Sequence, residues 1–317
     1  MTVLPDLGRL GRLVLDVLLP EAPRCPGCHR EGSRSDPGLC PACLARLPRV
    51  APPLCGQCGR PLRASALPAD GQNGEARGLR ALLRKRRARG QAGGGGGPGN
   101  GSGHGHAKGH DYGIGRGHRR DDSHGHGHGG MLCRRCALEP RLFHVARAPT
   151  VYDGAVKDYI HRFKYGGERE LGMALGVLLG RCLEREPVLW PVDALVPVPL
   201  HPSRLEDRGF NQAEVLARVV GEWVGRPVWA DALRRVRKTE TQTKLSARER
   251  HANVRGAFRP WRAARLAGRR LLLVDDVYTS GATVEEAARV LLKAGAAQVN
   301  VLCLAVGVRP AEWLEAG

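Results

Sequence analysis

The stretch LLLVDDVYTSGAT, residues 271 to 283, decides the fold. It opens with an apolar run, Leu271 to Val274, which is followed directly by the adjacent acids Asp275 and Asp276. After a loop of small and hydroxyl residues, apolar side chains recur at helical spacing: Val284, Ala287, Ala288 and Leu291. The order predicts a buried strand, a polar loop and a helix.

This loop suits a phosphate group. The first amides of a helix have no intrahelical partners, and the helix dipole favours an anion beside them. The two acids cannot bind the phosphate, but they suit the hydroxyls, or a metal ion, of a phosphorylated ribose. The alternative is a parallel strand with a capped helix after it, which does not account for two acids at the end of a buried strand. The candidate phosphate-binding residues are Thr279, Ser280, Gly281, Ala282 and Thr283.

Predicted helices and strands alternate through the C-terminal half of the chain. Such alternation is typical of an α/β fold with a doubly wound, mainly parallel sheet. Ligands of these sheets bind beyond the carboxyl ends of the strands, where the loops 198–210 and 275–283 are expected. The sequence predicts helices over 156–163, 171–182, 212–224 and 283–294, and strands over 193–198, 271–274 and 298–305.

Eight of the ten cysteines form four C-x-x-C pairs, which indicates metal binding. Two such pairs bring four thiolates to one centre and complete a tetrahedral zinc site with no open position, so the metal would be structural. Disulfides would need an oxidising compartment, and a redox site would need only one pair. Cys182 and Cys303 lie in apolar runs and are interpreted as core residues. The candidate zinc ligands are Cys25, Cys28, Cys40, Cys43, Cys55, Cys58, Cys133 and Cys136.

Eight ligands predict two zinc sites. The simplest grouping is sequential, with the first two pairs in one site and the last two pairs in the other. An interleaved grouping stays open at this point.

A low-complexity insertion separates the third and fourth cysteine pairs. Residues 62–131 hold 21 of the 43 glycines and 7 of the 12 histidines. This composition cannot bury enough apolar surface to offset the entropy of ordering, so we expect disorder from about residue 66 to 129. Its histidines could bind Zn²⁺ or Ni²⁺ weakly, but a solvated insertion is the simpler interpretation.

Positive charge is concentrated in one segment. The chain carries a net charge of +19, and residues 234–270 hold 13 Lys or Arg and two Glu, a local net charge of +11. A solvated basic surface and a surface for a polyanion are both consistent with this run. Aromatic residues, which would stack on bases, make up only 4% of the chain. The candidate nucleic-acid contacts are Arg234, Arg235, Arg237 and Lys238.

Three separated motifs, together with the cysteine pairs, resemble the ComF family of competence proteins, relatives of the amidophosphoribosyltransferases. Residues 271–283 are similar to the 5-phosphoribosyl-1-pyrophosphate (PRPP) signature of type I phosphoribosyltransferases, with Tyr278 where that signature more often has an aliphatic residue. The other motifs are VPVPLHPSRLEDRGFNQA, residues 196–213, and TQTKLSARERHANVRGAF, residues 241–258. The resemblance covers about residues 10–61 and 131–307.

The resemblance implies roles for the acids and the basic residues. Asp275 and Asp276 would hold the ribose hydroxyls, and they are the candidate catalytic residues because they could stabilise a cationic ribosyl carbon. Mg²⁺ would accompany PRPP and offset the charge of the leaving pyrophosphate. Arg204 and Arg208 would clamp the pyrophosphate. A mobile hood over the site would carry Lys244, Arg248 and Arg250.

The resemblance also implies a domain organisation. A short amphipathic helix (1–24) would precede a double zinc ribbon (25–61 and 132–140) that is interrupted by the disordered insertion (62–131) and followed by a phosphoribosyltransferase-like domain (141–317). No segment approaches the roughly 20 apolar residues of a membrane span. The apolar run near the N-terminus has no small-residue cleavage site after it, so we expect a cytoplasmic protein.

Two functions fit this sequence. The first is a Mg²⁺-dependent phosphoribosyltransferase that acts on an unknown acceptor. The second, implied by the ComF resemblance, is a non-catalytic protein of DNA uptake and natural transformation. It would bind PRPP as a ligand, bind single-stranded DNA and interact with DNA-uptake proteins. Release of pyrophosphate from PRPP would separate the two.

Overall fold

The computed structural model of the chain describes residues 24–30, 38–62, 131–239 and 247–308, without the side chains of residues 247 and 248. The amphipathic helix expected near the N-terminus, the insertion expected from 66 to 129 and Lys244 lie outside these ranges. The boundaries given above for the four segments of the chain therefore stay predictions.

A five-stranded parallel sheet lies at the centre of the fold, in the order β1–β7–β6–β3 with β2 also paired to β7. The two central strands are long and almost wholly buried, as a sheet covered on both faces requires. Leu271 of β6 pairs with Ala194 of β3 on one side and with Val299 of β7 on the other. The strands are β1 (Ala146–Arg147), β2 (Thr150–Val151), β3 (Ala194–Pro197), β6 (Arg270–Tyr278) and β7 (Gln298–Val306).

Helices pack on both faces of this sheet. Leu272 and Val274 share a core with α3, α4 and α6, whereas Leu271 and Leu273, on the opposite face of β6, share a core with α8. This arrangement confirms the predicted doubly wound α/β fold. The helices are α3 (Gly154–Tyr165), α4 (Arg169–Arg185), α5 (Pro202–Arg208), α6 (Gln212–Val224) and α8 (Ala282–Lys293).

A small antiparallel pair lies beside the main sheet. It is formed by β4 (Leu233–Arg235) and β5 (Phe258–Pro260), which pair from Leu233–Pro260 to Arg235–Phe258. Between them in the chain runs α7 (Ala247–Val254), which packs on α8. The hood residues expected from the sequence fall in this connection.

Both cysteine segments pack directly on the sheet domain. In the first, which includes α1 (Pro41–Ala45), the carbonyls of Pro26 and Gly27 accept hydrogen bonds from Arg162 of α3, each at 2.8 Å. In the second, which includes α2 (Arg134–Leu138), the carbonyl of Gln57 accepts from the amide of Ala146 in β1 at 2.7 Å. The described parts of the cysteine segments and the sheet domain belong to one compact unit.

Within the described residues, the structure has no helix that is long and apolar enough to cross a bilayer.

Candidate functional site

The two acids lie within a strand and not beyond its end. We expected the strand to stop at Val274, but β6 continues to Tyr278, and Asp275 and Tyr278 pair with Cys303 and Val306 of β7. Apolar content alone ended the predicted strand too early, because the backbone pairing with β7 does not depend on side-chain polarity. The acids therefore have rigid backbone positions at the carboxyl end of the sheet.

Asp276 is buried, 5% exposed, and is held by two partners from the helices on its face of the sheet. Its carboxylate lies 2.6 Å from the ammonium of Lys164 at the end of α3 and accepts from the amide of Gln212 at 2.9 Å. Burial alone would lower the pKa of Lys164, but the negative charges of Asp276 and Asp275 outweigh it and raise that pKa. The result is a largely buried ion pair close in sequence to the loop of residues 279–283.

Asp275 is in a different electrostatic state. Its carboxylate accepts a hydrogen bond from the amide of Asp276 at 2.9 Å. Burial, together with the negative charge of Asp276, raises the pKa of Asp275 to about 7, while Lys164 and Arg235 oppose the shift. An ionised Asp275 is therefore costly unless a cation or hydroxyl donors come to it.

The loop from Thr279 to Thr283 leads into the N-terminus of α8. Gly281 stands at the start of the helix with φ +82°, a left-handed conformation that favours glycine. The amide of Ala282 donates to the hydroxyl of Ser280 at 3.3 Å. The structure thus places all five predicted phosphate-binding residues at a strand–loop–helix turn of the kind that binds anions.

The predicted pyrophosphate loop is partly helical. Pro202 begins α5, His201 accepts from the amide of Ser203 at its start, and Gly209 ends it with φ +75°. Proline suits the first turn of a helix because its missing amide has no partner there in any case. We interpreted 198–210 as a loop throughout, and that interpretation is wrong for residues 202–208.

The two arginines of α5 face different partners. Arg204 donates to the carbonyl of Thr239 at 2.9 Å, and Thr239 is the last described residue before the gap at 240–246. Arg208 lies 5.0 Å from the ring centroid of Tyr165, at the end of α3 next to Lys164. Arg208 is therefore near the end of the sheet that carries Asp276, and the charges of both Arg204 and Asp275 act on Arg235.

Arg235 does not have the surface position that nucleic-acid contact requires. It is 8% exposed, donates to the hydroxyl of Thr239, and has a buried Nε without a hydrogen-bond partner. Burial and the positive charge of Arg204 lower the pKa of Arg235 to about 10, against the influence of Asp275. The alternation of β4 explains this result, since Arg234 and Arg235 must point to opposite faces.

The other three candidate nucleic-acid contacts are exposed. The guanidinium of Arg234 stacks 3.4 Å from the ring centroid of Trp261, which is 42% exposed. Arg237 donates to the carbonyls of Asn253 and Arg255 at the end of α7, each at 2.7 Å, so it also has a structural role. Of the hood candidates, Lys244 and the side chain of Arg248 lie outside the described part of the chain.

The cysteines form two groups, and the grouping is sequential. The four sulfurs of each group lie within 4.8 Å of one another, with Cys28–Cys40 at 3.8 Å and Cys58–Cys133 at 3.7 Å. Four sulfurs held about 2.3 Å from one zinc ion in a tetrahedron lie about 3.8 Å apart. The donor set and its spacing therefore fit zinc, and interleaved grouping is excluded. The groups are Cys25, Cys28, Cys40 and Cys43, and Cys55, Cys58, Cys133 and Cys136.

Sequence reasoning missed three residues around this site: Lys164, Gln212 and Arg60, whose guanidinium donates to the carbonyl of Thr279. A signal existed for Lys164, because it stands four residues after the buried Ile160 on the apolar face of α3. A charged residue in that position needs a partner. Gln212 and Arg60 carried no comparable signal.

The chain matches two families and several curated proteins. Residues 14–72 match the family described as "Double zinc ribbon domain", and residues 205–315 match "Phosphoribosyl transferase domain". The chain is 36% identical over 175 residues to DNA utilization protein YhgH of Salmonella typhimurium, covering 54% of this chain and 76% of that protein. It is 31% identical over 174 residues to Competence protein ComFC of Bacillus subtilis, covering 52% of this chain and 68% of that protein.

Among solved structures, a glutamine PRPP amidotransferase from B. subtilis aligns with 42% of this chain and 26% of that chain, at 23% identity and a TM-score of 0.30. A likeness this weak supports no argument.

Proposed function

Because the chain belongs to the ComF family, whose members combine a double zinc ribbon with a phosphoribosyltransferase domain, we propose that it binds PRPP with Mg²⁺ at the carboxyl end of β6. One observation carries the proposal. Strand β6 carries two adjacent acids, and the pKa of one of them, Asp275, is raised to about 7. The strand is followed by a short loop in which Gly281 caps the N-terminus of α8.

The ribose would be held mainly by Asp275. Asp276 already accepts from Lys164 and Gln212, so its charge is offset within the protein. The charge of Asp275 is not offset to the same degree, and ribose hydroxyls or Mg²⁺ would stabilise it. Carboxylates and substrate phosphates are the ligands that Mg²⁺ prefers, so the residues here fit that ion. When bound, the ion would neutralise charge on the leaving pyrophosphate.

The 5-phosphate would lie against the loop of residues 279–283. The amides that open α8 point out of the helix, and the hydroxyls of Thr279, Ser280 and Thr283 add further donors. These donors would bind the 5-phosphate without charged side chains. The basic residues nearby would therefore be available to bind the pyrophosphate.

The pyrophosphate would be bound by Arg204, Arg208 and the buried Arg235. Arg204 and Arg235 converge on Thr239, and the positive charge of Arg204 contributes to the lowered pKa of Arg235, so an anion placed between them would relieve that repulsion. Guanidinium groups also match phosphate oxygens in paired contacts. Lys244 and Arg248 stay proposed hood residues on the sequence alone.

The protein would be either a phosphoribosyltransferase or a PRPP-binding protein without catalysis. Transfer needs charge stabilisation of the leaving group and exclusion of water, and no general base is evident among the described residues around Asp275. The acceptor is not specified by any motif. A cytoplasmic location stays an expectation from the sequence.

The metal of both cysteine groups would be zinc with a structural role. Four cysteine ligands leave no coordination position for a substrate. Each metal would fix a short segment against the sheet domain, where these segments have little core of their own.

A second candidate function, binding of single-stranded DNA, is favoured by the exposed stack of Arg234 on Trp261. Single-stranded nucleic acids are bound by basic grooves with aromatic side chains on which bases stack. The relatives' names, DNA utilization protein and Competence protein ComFC, suggest the same kind of role in DNA uptake. The two functions are compatible, because the stack lies on the face of β4 opposite to Arg235.

The proposal is tested by competition. Ribose 5-phosphate and pyrophosphate should each displace PRPP, because each occupies one half of the proposed site. Displacement by neither would contradict the site. Release of pyrophosphate with a panel of acceptors, measured beside DNA titrations at two salt concentrations, then separates the enzyme from the binding protein.

A further inference from the structure

Arg60 joins the second cysteine group to the loop of residues 279–283. It follows Cys58 by two residues, and its carbonyl accepts from the amide of Cys55 at 2.8 Å. The backbone of Arg60 is thus part of the turn that presents the thiols of Cys55 and Cys58. Its side chain leaves this turn, is 9% exposed, and donates a hydrogen bond to the carbonyl of Thr279.

The same guanidinium contacts the residue before Thr279. It lies 5.5 Å from the ring centroid of Tyr278, within range of a cation–π interaction. Tyr278 is 3% exposed, and its ring meets Phe143 edge-on at 6.1 Å. An aliphatic residue at position 278 would offer Arg60 no such face, so Arg60 and the unusual Tyr278 form one structural unit.

Tyr278 forms the floor of the loop. A Cβ added at Gly281 would lie 2.7 Å from the tyrosine hydroxyl, so the ring passes directly under the glycine. The carbonyl of Tyr278 accepts from the amide of Gly307 at 2.7 Å. The backbone carbonyls of Tyr278 and Thr279 are therefore fixed by Gly307 and by Arg60, respectively.

This anchoring matters because the loop would bind phosphate through backbone amides. An amide site is effective only if its donors already point at the anion, since reordering the backbone on binding costs free energy. A hydrogen bond to the carbonyl of Thr279 restrains the peptide unit whose amide belongs to Ser280. Arg60 therefore acts on the donors of the loop without any need to touch the ligand.

We propose that Arg60 is a positioning residue: from the turn of the second cysteine group, it holds the peptide after Thr279 in the orientation that the phosphate needs. The functional part of this inference rests on the proposed function of the loop, whereas its structural part does not.

The test compares Arg60→Met, Arg60→Lys and Arg147→Met in the full-length, zinc-loaded protein. Arg147 is a matched control, because it donates to the carbonyl of Gly56 in the same cysteine turn but pairs with Glu186, away from the loop. Amide hydrogen exchange of residues 279–283 is measured without ligand, together with zinc content. PRPP affinity is measured in the presence of Mg²⁺.

Arg60→Met should raise loop exchange several-fold and weaken PRPP binding about ten-fold at unchanged zinc content. Arg60→Lys, which keeps a donor and a cation, should restore part of both, and Arg147→Met should change neither. Unchanged loop exchange in Arg60→Met would overturn the proposal. So would loss of one zinc equivalent from Arg60→Met, because Arg60 would then serve the metal site and not the loop.

A wild-type protein that binds no PRPP would refute the proposed function by itself. The exchange measurement would still decide whether Arg60 positions the loop, so the two failures are distinguishable.

Discussion

Two neighbouring carboxylates, Asp275 and Asp276, face different groups. Asp276 meets the ammonium of Lys164 at 2.6 Å. Asp275 is partly buried next to that negative charge, and its pKa is raised to about 7. The sequence predicts that both acids lie at the carboxyl end of the sheet, but it ends the strand before them and does not reveal this division of roles. The division depends on Lys164 and Arg235, and burial of a charged side chain is set by tertiary packing.

The raised pKa of Asp275 predicts a pH-dependent stability. The carboxyl of Asp275 has a higher pKa in the folded protein than in the unfolded chain, so stability is lost as the pH rises from about 4 to about 7. Asp275→Asn has no such titration. Its stability relative to wild type should therefore increase across this range and level off above pH 7, in denaturant unfolding without ligand. A constant difference from pH 4 to 8 would show that Asp275 titrates normally.

The helices and strands around the site show which elements the spacing of apolar residues can predict and which it cannot. The spacing of apolar residues predicts α6 to the residue and α8 to within one residue at each end. It fails for α5, which has no buried residue and is held by its proline, its His201 cap and Gly209. It also fails for the last part of β6, where pairing with β7 continues past the acids.

The geometry of the turn before α8 indicates what a methyl group added at Gly281 would do to stability and to PRPP affinity. Gly281→Ala places a Cβ against the hydroxyl of Tyr278 and a non-glycine residue at φ +82°, so we expect a loss of about 1–2 kcal/mol in stability and a clear loss of PRPP affinity. Gly295→Ala is the control, because Gly295 also has a positive φ, +98°, but lies at the other end of α8. It should lose similar stability and keep PRPP affinity. Equal affinity in both variants would show that the loop does not bind the phosphate.

The two faces of strand β4 carry arginines with different proposed ligands: PRPP for Arg235 and single-stranded DNA for Arg234. Arg235→Met should weaken PRPP binding at least ten-fold, because it removes a buried guanidinium near Asp275. Arg234→Met, on the exposed face of the same strand, should leave PRPP affinity within a few-fold. It should instead weaken single-stranded DNA binding and reduce the log–log salt slope by roughly 0.7 for a lost phosphate contact. Titrations of both ligands check this, and an unchanged salt slope in Arg234→Met would remove Arg234 from any DNA surface.

At the scale of the whole molecule, the cysteine groups and the sheet domain form one unit. The sequence predicts the eight ligands correctly, because C-x-x-C spacing is a local signal. It leaves the grouping open, since residues 58 and 133 are far apart in the chain and only the fold brings their two pairs together. The contacts of Gln57 and Arg60 with the sheet domain, and of Arg162 with the first cysteine segment, had no sequence signal at all.

We expect the fold to tolerate deletion of residues 66–129 of the insertion. Because the composition of residues 66–129 supports no apolar core, a protein without them should still bind two zinc ions and PRPP nearly as the full chain does. Metal analysis, after removal of ions held weakly by the histidines, and PRPP titration check the two parts. Loss of soluble protein on deletion would show that the insertion contributes to the fold.

Calorimetric titration of PRPP with Mg²⁺ into wild type and Asp275→Asn at pH 8 tests whether PRPP binds at the carboxyl end of β6. Asp275→Asn keeps the Lys164–Asp276 ion pair and is expected to be at least as stable as wild type, so a loss of binding cannot be attributed to unfolding. Binding of PRPP at this site predicts saturable titration with one site in wild type and an affinity lower by ten-fold or more in the variant. Absence of binding in wild type, or equal affinity in the folded variant, would contradict it.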